Sequence, residues 1–568
     1  MCLFLNLEVL FLHNHDFTGT SPHLILINGK IATVDSNNSI AEAIGIFGNL
    51  ISHVGTTQEL LKTTGPNTKV IDLQGKTVIP GIVDSHNHVY QAGILMEGVM
   101  AFGLESIKEL QEAVKAKVSE TPKGKWIRGG GWIESQFAEN RMPNRWDLDE
   151  VAPDHPVVLS RLFAMDLCNS KALELAGINK NTPQPQRGTI DKDPKTGEPT
   201  GILRNGAQAL VSRLIKDDYN SNYNFQELVE RRVKTAMNEY LQYGITTVLD
   251  PGVSVPVMRG YQNLYKKGEL PIRLQMMPEA YGLAAISSNK SDPNETEKFM
   301  DYLGINDPFG NEWFSIGPLK FAVDGGVGSK TALMYEPWID GTKSNIPLRL
   351  DFEEMEKLFH KAQELGWSIG IHTCGDKAQD IVLEAFKKVI DRYPRNDVRH
   401  NIIHGYFPTD RALEIMKEYN IAGSLQPGFM YVEGDLYWDV LNQEQIEYFT
   451  PIKTYLNNKI TVACNSDMIS AHYNPFYGMY SAVARKTSQG KSLGAREKIS
   501  REEMLRLFTI NSAYLTFEEN TKGSIEAGKL ADIAVLSHDL LTCPESDILK
   551  TDVNMTIIDG KIVHSNIN

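Results

Sequence analysis

Four histidines and one aspartate stand just past apolar runs, where their side chains could share a metal ion. In VIPGIVDSHNHVY, residues 78–90, His86 and His88 lie two positions apart beyond an apolar segment. Alternate residues of an extended chain point to one face, so both imidazoles can converge on one cation. His372 closes the run in IGIHTCGD, His404 in NIIHGYF, and Asp467 in ACNSDM. Each alone reads as a satisfied core residue, but together they read as one constellation. Lys320 sits inside the apolar stretch of IGPLKFAVDGG. A buried ammonium is costly unless paired or neutral. Two readings stay open: an ion pair with a neighbour such as Asp324, or a neutral amine that adds carbon dioxide. The resulting carbamate has two oxygens able to bridge two divalent ions. Zinc suits mixed imidazole and carboxylate ligation with open positions for water and substrate.

These residues need elements that aim them at one place. Eight runs read as strands: Thr77–Asp84, Ile245–Asp250, Ile272–Met277, Leu319–Asp324, Ser368–His372, Asn401–His404, Ile421–Gln426 and Ile460–Asn465. Helical stripes separate several of them. Leu228, Val229, Val233, Ala236, Met237, Tyr240 and Leu241 form one, and Met355, Leu358, Phe359, Ala362 and Leu365 another, stopped by Gly366. Ser500 and Glu503 make a capping box. Alternating strands and helices predict a parallel α/β fold, a (β/α)8 TIM barrel with its site at the C-terminal strand ends. Both chain ends read as short antiparallel strands, with hairpin turns expected at Asn28-Gly29 and Asp559-Gly560. They predict one small composite β-sandwich domain from residues 23–78 and 515–568, flanking a barrel domain over 79–514. About 155 residues separate the first two barrel strands, far more than a crossover needs. Residues 90–225 therefore read as an insertion with its own fold.

The 568 residues carry a net charge of −14, from 57 basic and 71 acidic side chains. That balance argues against non-specific nucleic-acid binding and disfavours anionic lipid, so neither nucleic acid nor membrane is expected as a partner. Five scattered cysteines without a CxxC pair argue against disulfides and fit a reducing cytoplasm. No apolar run approaches the roughly 18 residues of a transmembrane helix. The apolar stretch Met1–His13 lacks a basic flank and a cleavage site, and is not read as a signal peptide.

The sequence resembles the metal-dependent amidohydrolase superfamily, in its YtcJ-like (amidohydrolase type 3) branch, over nearly the whole chain. GKTVIPGIVDSHNHV, WIESQFAENRMPNRWDLDEVAPDHPVVLSR, PTGILRNGA, YGITTVLDPG, KFAVDGGVGSKTA and KGSIEAGKLADIAVL carry the likeness in family order. The resemblance implies that His86, His88 and Asp467 hold the more buried metal and that His372 and His404 hold the second. Lys320, carboxylated by CO2, would bridge them, giving two Zn2+ per chain. It further implies hydrolysis of an amide-type, non-peptide C–N bond of a small molecule by metal-bound hydroxide. Two ions acidify a shared water, and Asp467 acts as general base and then acid. The chain departs from the branch within the insertion, with Ile133 after Gly131-Trp132 and no histidine in the segment before Asn169-Ser170. Asp166 is the polar residue nearest that gap.

Trp132, Arg161, Asp324, Gln426 and His472 are further candidates for lining a substrate pocket. Aromatic residues around Trp132 and Phe163 hint at an apolar substrate group. N-acyl or N-formyl amines, hydantoin-like rings and carbamates are all compatible. His360 and His400 read as structural. Competing readings are a mononuclear deaminase, for which the usual glutamate position holds Gly375 with Asp376 next, and a non-catalytic scaffold. Cys374, two residues from His372, is a weak thiol nucleophile, because a metal-facing histidine is not free to act as its base. A homodimer is allowed, being the commonest assembly.

Overall fold

The computed structural model describes residues 17, 19–161, 165–185, 188–219, 225–281, 292–344 and 347–566. Met1–His13 and Phe163 lie outside the described residues. Eight parallel strands form the centre: β1 Ile82–Asp84, β2 Ile245–Val253, β3 Arg273–Tyr281, β4 Leu319–Ala322, β5 Ile369–Thr373, β6 Asn401–His404, β7 Ala422–Leu425 and β8 Val462–Cys464. Each pairs with the next in chain order. The ring closes beyond the strand ends. There Asp467 N–H donates to His86 O and His88 N–H to Met468 O, both at 2.8 Å. The result is a near-closed (β/α)8 barrel.

The helices follow the apolar stripes. Along Phe225–Leu241, Leu228, Val229, Val233, Ala236, Met237, Tyr240 and Leu241 are all buried. Each buried leucine, valine or methionine among them contributes about 1.5–3 kcal/mol by leaving water. Phe352–Glu364 opens on a capping box of Asp351 with Glu354. Gly366 follows with φ of 85°, a left-handed value that favours glycine. The expected Ser500–Glu503 capping box is present.

Two expectations need correction. The run Thr77–Asp84 is two strands in two sheets. Thr77–Pro80 lies between Lys30–Ala32 and Ile533–Leu536, while Ile82–Asp84 is β1. Gly81 permits the change of sheet, since a Cβ there would lie 2.3 Å from Thr246 Oγ1. The turn at Asn28-Gly29 does not join paired strands. Asn28 takes the left-handed φ of 55° that turn chemistry favours. Yet Leu24–Ile27 pairs with Ala43–Phe47 and Lys69–Asp72, whereas Lys30–Ala32 enters the other sheet. The expected turn at Asp559-Gly560 does connect an antiparallel pair, Val553–Ile558 and Lys561–Ser565.

The two sheets share one apolar cluster that includes Leu26, Ile44, Val78, Ile533 and Ile557. The six-stranded one draws on both ends of the chain, in the order Lys561–Ser565, Val553–Ile558, Ile533–Leu536, Thr77–Pro80, Lys30–Ala32, Ile40–Ala41. Between β1 and β2 the chain builds another six-stranded sheet, from Val99–Met100 to Pro199–Asn205. Its own core includes Leu110, Val114, Trp132, Leu148 and Leu159. Among the described residues no helix is long and apolar enough to cross a membrane.

Candidate active site

Beyond the C-terminal end of the barrel, one cavity of about 180 Å³ is lined by His86, His88, Lys320, His372, His404 and Asp467. His86 and His88 follow β1, Lys320 and His372 lie within β4 and β5, His404 ends β6, and Asp467 follows β8. His404 and Asp467 adopt left-handed backbone conformations, with φ of 80° and 49°. Such conformations cost non-glycine residues of order 1–3 kcal/mol and gather at functional sites.

The donor atoms form two groups. His86 Nε2 and His88 Nε2 lie 3.6 and 3.3 Å from Asp467 Oδ1. That carboxylate oxygen is buried without a hydrogen-bond donor. In the second group, His372 Nδ1 and His404 Nε2 are 2.9 Å apart. Their tautomers follow from their other partners. The Gln426 amide N–H groups donate to Ser424 O at 3.0 Å and Asn465 Oδ1 at 2.9 Å. Gln426 Oε1 is therefore left to accept from His404 Nδ1, at 2.7 Å. His372 Nε2 donates to Gly325 O at 3.1 Å. Two nitrogen lone pairs thus face each other, which is repulsive without a cation between them. A carboxylate oxygen without a donor and converging imidazole lone pairs are the donor set a divalent ion requires.

Burial favours the neutral, ligating form of His86, His372 and His404. Burial drives His86 and His372 well below the usual histidine value, helped by the neighbouring Lys320 and His404 charges respectively. Burial also lowers His404, to about 4, against the opposing charge of Asp467. Lys320, 1% exposed, is pushed down to about 7 by burial, again against Asp467. Its expected alternative partner is otherwise engaged. Asp324 accepts backbone N–H bonds from Leu333 at 3.1 Å, Cys374 at 2.9 Å and Gly375 at 2.9 Å. Burial raises that carboxyl to about 6.

The other sequence candidates scatter. Arg161 lines the cavity. It donates from Nε to Glu134 at 2.5 Å and from Nη1 to Glu433 at 3.2 Å. Tyr437 in turn donates to Glu433 at 2.9 Å. Trp132 is in the insertion core, its indole N–H donating to Leu159 O at 3.1 Å. Asp324 braces the loops after β4 and β5, and Gln426 stands behind His404. His472 packs against Phe102 and Tyr473, with ring centroids 5.5 and 4.3 Å away. Trp132, Asp324, Gln426 and His472 are not part of the cavity wall. Asp166 accepts from Ser160 within the insertion sheet and is not part of it either.

Asn205, Arg349, Tyr406, Phe429, Glu433 and Tyr437 do line the cavity, and sequence reasoning missed them. Only Tyr406 carried a signal, its place two residues after His404. Asn205 comes from the chain between β1 and β2, and Arg349 from the segment after β4. Phe429, Glu433 and Tyr437 come from two short helices after β7, Gly428–Val432 and Gly434–Val440, and the junction between them. Cys374 Sγ lies 3.5 Å from His372 Nε2. That nitrogen already donates to Gly325 O, so it cannot serve as base to the thiol.

Four histidines, a carboxylate and a buried lysine line one cavity at the C-terminal rim of a (β/α)8 barrel. The amidohydrolase family model matches residues 69–564, and the chain belongs to that family, in its YtcJ-like branch. It is 31% identical over 547 residues to the N-substituted formamide deformylase of Arthrobacter pascens, spanning 94% of this chain and 97% of that enzyme. It is 30% identical over 546 residues to YtcJ of Bacillus subtilis (strain 168), a protein classed with the amidohydrolases, spanning 94% and 98%. An uncharacterized metal-dependent hydrolase from Pyrococcus furiosus superposes with a TM-score of 0.69 at 26% identity, covering 91% of this chain and all of that one. The family is one of hydrolases acting on carbon–nitrogen bonds.

Proposed function

We propose that this protein hydrolyses an amide-type, non-peptide C–N bond of a small molecule, using two divalent ions, zinc by ligand chemistry. The carrying observation is the convergence of His372 Nδ1 on His404 Nε2, beside the donor-free oxygen of Asp467, in one buried cavity. His86, His88 and Asp467 would hold one ion, His372 and His404 the other, with Lys320 bridging. For Lys320 to bridge, its neutral amine adds to CO2 and loses one proton, giving a carbamate. An amine whose pKa lies near 7 is available for that addition at neutral pH. When bound, the ions supply Lewis acidity, which acidifies water and polarises a carbonyl.

The chain's own groups do the rest. Asp467 takes a proton from the attacking water and delivers it to the departing nitrogen, so that amide and water become acid and amine. Arg161, held between Glu134 and Glu433, carries the insertion into the cavity wall and limits what fits. The formamide deformylase relative makes N-formyl amines the first substrates to try.

The deaminase alternative finds no acid where one would be needed. A side chain at Gly375 would start 2.0 Å from Leu333 O. Asp376 accepts the Tyr335 backbone N–H at 2.9 Å and is not part of the cavity wall. Cys168, Cys374 and Cys464 are buried free thiols, in keeping with a reducing cytoplasm as the working compartment.

Metal analysis combined with a hydrolysis screen over N-formyl and N-acyl amines tests the reading. The expected result is about two divalent ions per chain and acyl cleavage lost on chelation. Full activity in metal-free protein, or ammonia release from heterocycles without acyl cleavage, would overturn it.

A further inference from the structure

We propose that Tyr406 is a catalytic residue whose phenol O–H donates a hydrogen bond to the scissile carbonyl oxygen as that oxygen gains charge. The proposal rests on the hydrolytic reading above. Placement comes first. Tyr406 lines the same cavity as the histidines and lysine. His404 and Gly405 both have left-handed φ, 80° and 48°. This turn lays the Tyr406 ring beside the His404 ring, with centroids 5.5 Å apart. Gly405 is needed there, since a Cβ would lie 2.7 Å from Tyr455 Oη.

Donor accounting comes next. Tyr406 Oη lies 3.3 Å from His404 Nδ1. That nitrogen carries its proton toward Gln426 Oε1 at 2.7 Å. The Gln426 amide cannot be turned round, because its N–H groups are committed to Ser424 and Asn465. His404 Nδ1 therefore presents no lone pair to Tyr406. The phenol oxygen can accept a share of the N–H, but its own proton cannot go to that nitrogen. Among the described residues no other acceptor for it is found, and Tyr406 is one of the residues that line the cavity.

Rigidity is the third observation. The Tyr406 ring stacks on Phe449 with centroids 4.9 Å apart and planes at 24°. Phe407 and Phe429 flank it at 6.2 and 6.5 Å. Its backbone carbonyl accepts the Thr450 N–H at 3.1 Å. A donor fixed before the reaction stabilises developing charge without reorganising, which is where such groups contribute most.

In the step, the water oxygen bonds to the carbonyl carbon and the C=O π pair moves to the carbonyl oxygen. Tyr406 hydrogen-bonds that oxygen and keeps its proton. Return of the pair breaks the C–N bond, and nitrogen leaves with the proton carried by Asp467. No oxidant or co-reactant is needed.

The test is Tyr406→Phe in the metal-loaded protein, an exchange that keeps the ring and its stacking. It uses an N-formyl or N-acyl amine that the wild type hydrolyses. Loss of one oxyanion donor predicts a fall in kcat of about 10²–10³-fold, with KM changed by less than about threefold. Metal content and Tm should stay at wild-type values. Affinity for a phosphonamidate mimic of the tetrahedral intermediate should fall with kcat, while affinity for the product amine does not. A kcat within about threefold of wild type, or unchanged phosphonamidate affinity, overturns Tyr406's role alone. A wild type that cleaves no C–N bond in the screen overturns the hydrolytic reading, and Tyr406's role with it.

Discussion

Arg273, at the start of β3, and Lys320, in β4, are both 1% exposed, yet the molecule treats these two buried cations in opposite ways. Arg273 donates to both oxygens of Asp532 at 2.7 and 3.0 Å, to Asp559 at 3.3 Å and to Glu312 O at 3.2 Å. Its guanidinium also lies 4.6 Å from the Trp313 ring centre. Burial is the largest single influence and would lower it, but the charges and hydrogen bonds of Asp532 and Asp559 together raise it above the ordinary arginine value. Lys320 has no comparable support, and burial takes it down to about 7. The first group ties the barrel's N-terminal end to the composite sheet. The second stands at the C-terminal end, where the proposed site lies and where barrels of this kind usually carry their chemistry.

The largest expected effect breaks that contrast at its reactive end. Lys320→Met should lower the hydrolysis rate by about 10³-fold or more. In metal-free protein it should also raise stability by about 2 kcal/mol or more. The sign follows from linkage. The folded value, about 7, lies below the ordinary 10.5. Between these values the unfolded chain binds the extra proton, so stability rises with pH through that window. The deficit is full below the folded value and absent above the unfolded one. Denaturant titrations of both metal-free proteins at pH 6 and pH 10 should show the Met advantage shrinking at the higher pH.

Arg273→Met should act the other way, costing about 3–5 kcal/mol because Asp532 is left buried without its partner. The rate per folded molecule should be unchanged. If the folded variant were inactive, the two ends would not be separable as described.

Between these extremes stands Gln426→Leu, which frees the His404 tautomer without removing a proposed ligand. Competition with a chelator should show about 10–100-fold weaker metal retention. Equal retention would mean that Gln426 only fills space.

The smallest effect concerns His400, which adjoins β6 and accepts the Ile369 N–H at 3.0 Å. Burial lowers it from the ordinary 6.5 to about 3. As pH falls through that window the unfolded chain takes up a proton that the folded one refuses, so stability falls with pH by at most about 1.4 kcal/mol per unit. His400→Gln should flatten the acid limb of the stability–pH curve by that slope. An unchanged limb would place the acid sensitivity elsewhere.

Much of the fold was legible because it follows local patterns. The stripe along Phe225–Leu241, the capping box at Ser500 and the turn at Asp559-Gly560 need only a few neighbouring residues to specify them. The five residues named at apolar run ends, and Lys320 within one run, were legible for the same reason, and the structure brings all six to one cavity. The wall of that cavity was not legible. Arg161 meets Glu433 across 272 residues of sequence, and no periodicity reports such a meeting. Trp132 shows the converse error: an aromatic beside glycines looked like a pocket residue but fills the insertion's own core.

By itself, the sequence determined which side chains could hold metal, that eight strands alternate with helices, and that a long stretch of chain separates the first two of them. These are properties of composition and short-range period. Only the tertiary structure decided that Thr77–Pro80 and Ile82–Asp84 belong to different sheets, and that the strands beside Asn28-Gly29 part company. It alone decided that Gln426 and Gly325 turn two imidazole lone pairs toward each other, and that His404 Nδ1 has no lone pair for the Tyr406 phenol. Strand partners and lone-pair directions are set by which distant groups are buried together, and that free energy exists only once the chain has closed on itself.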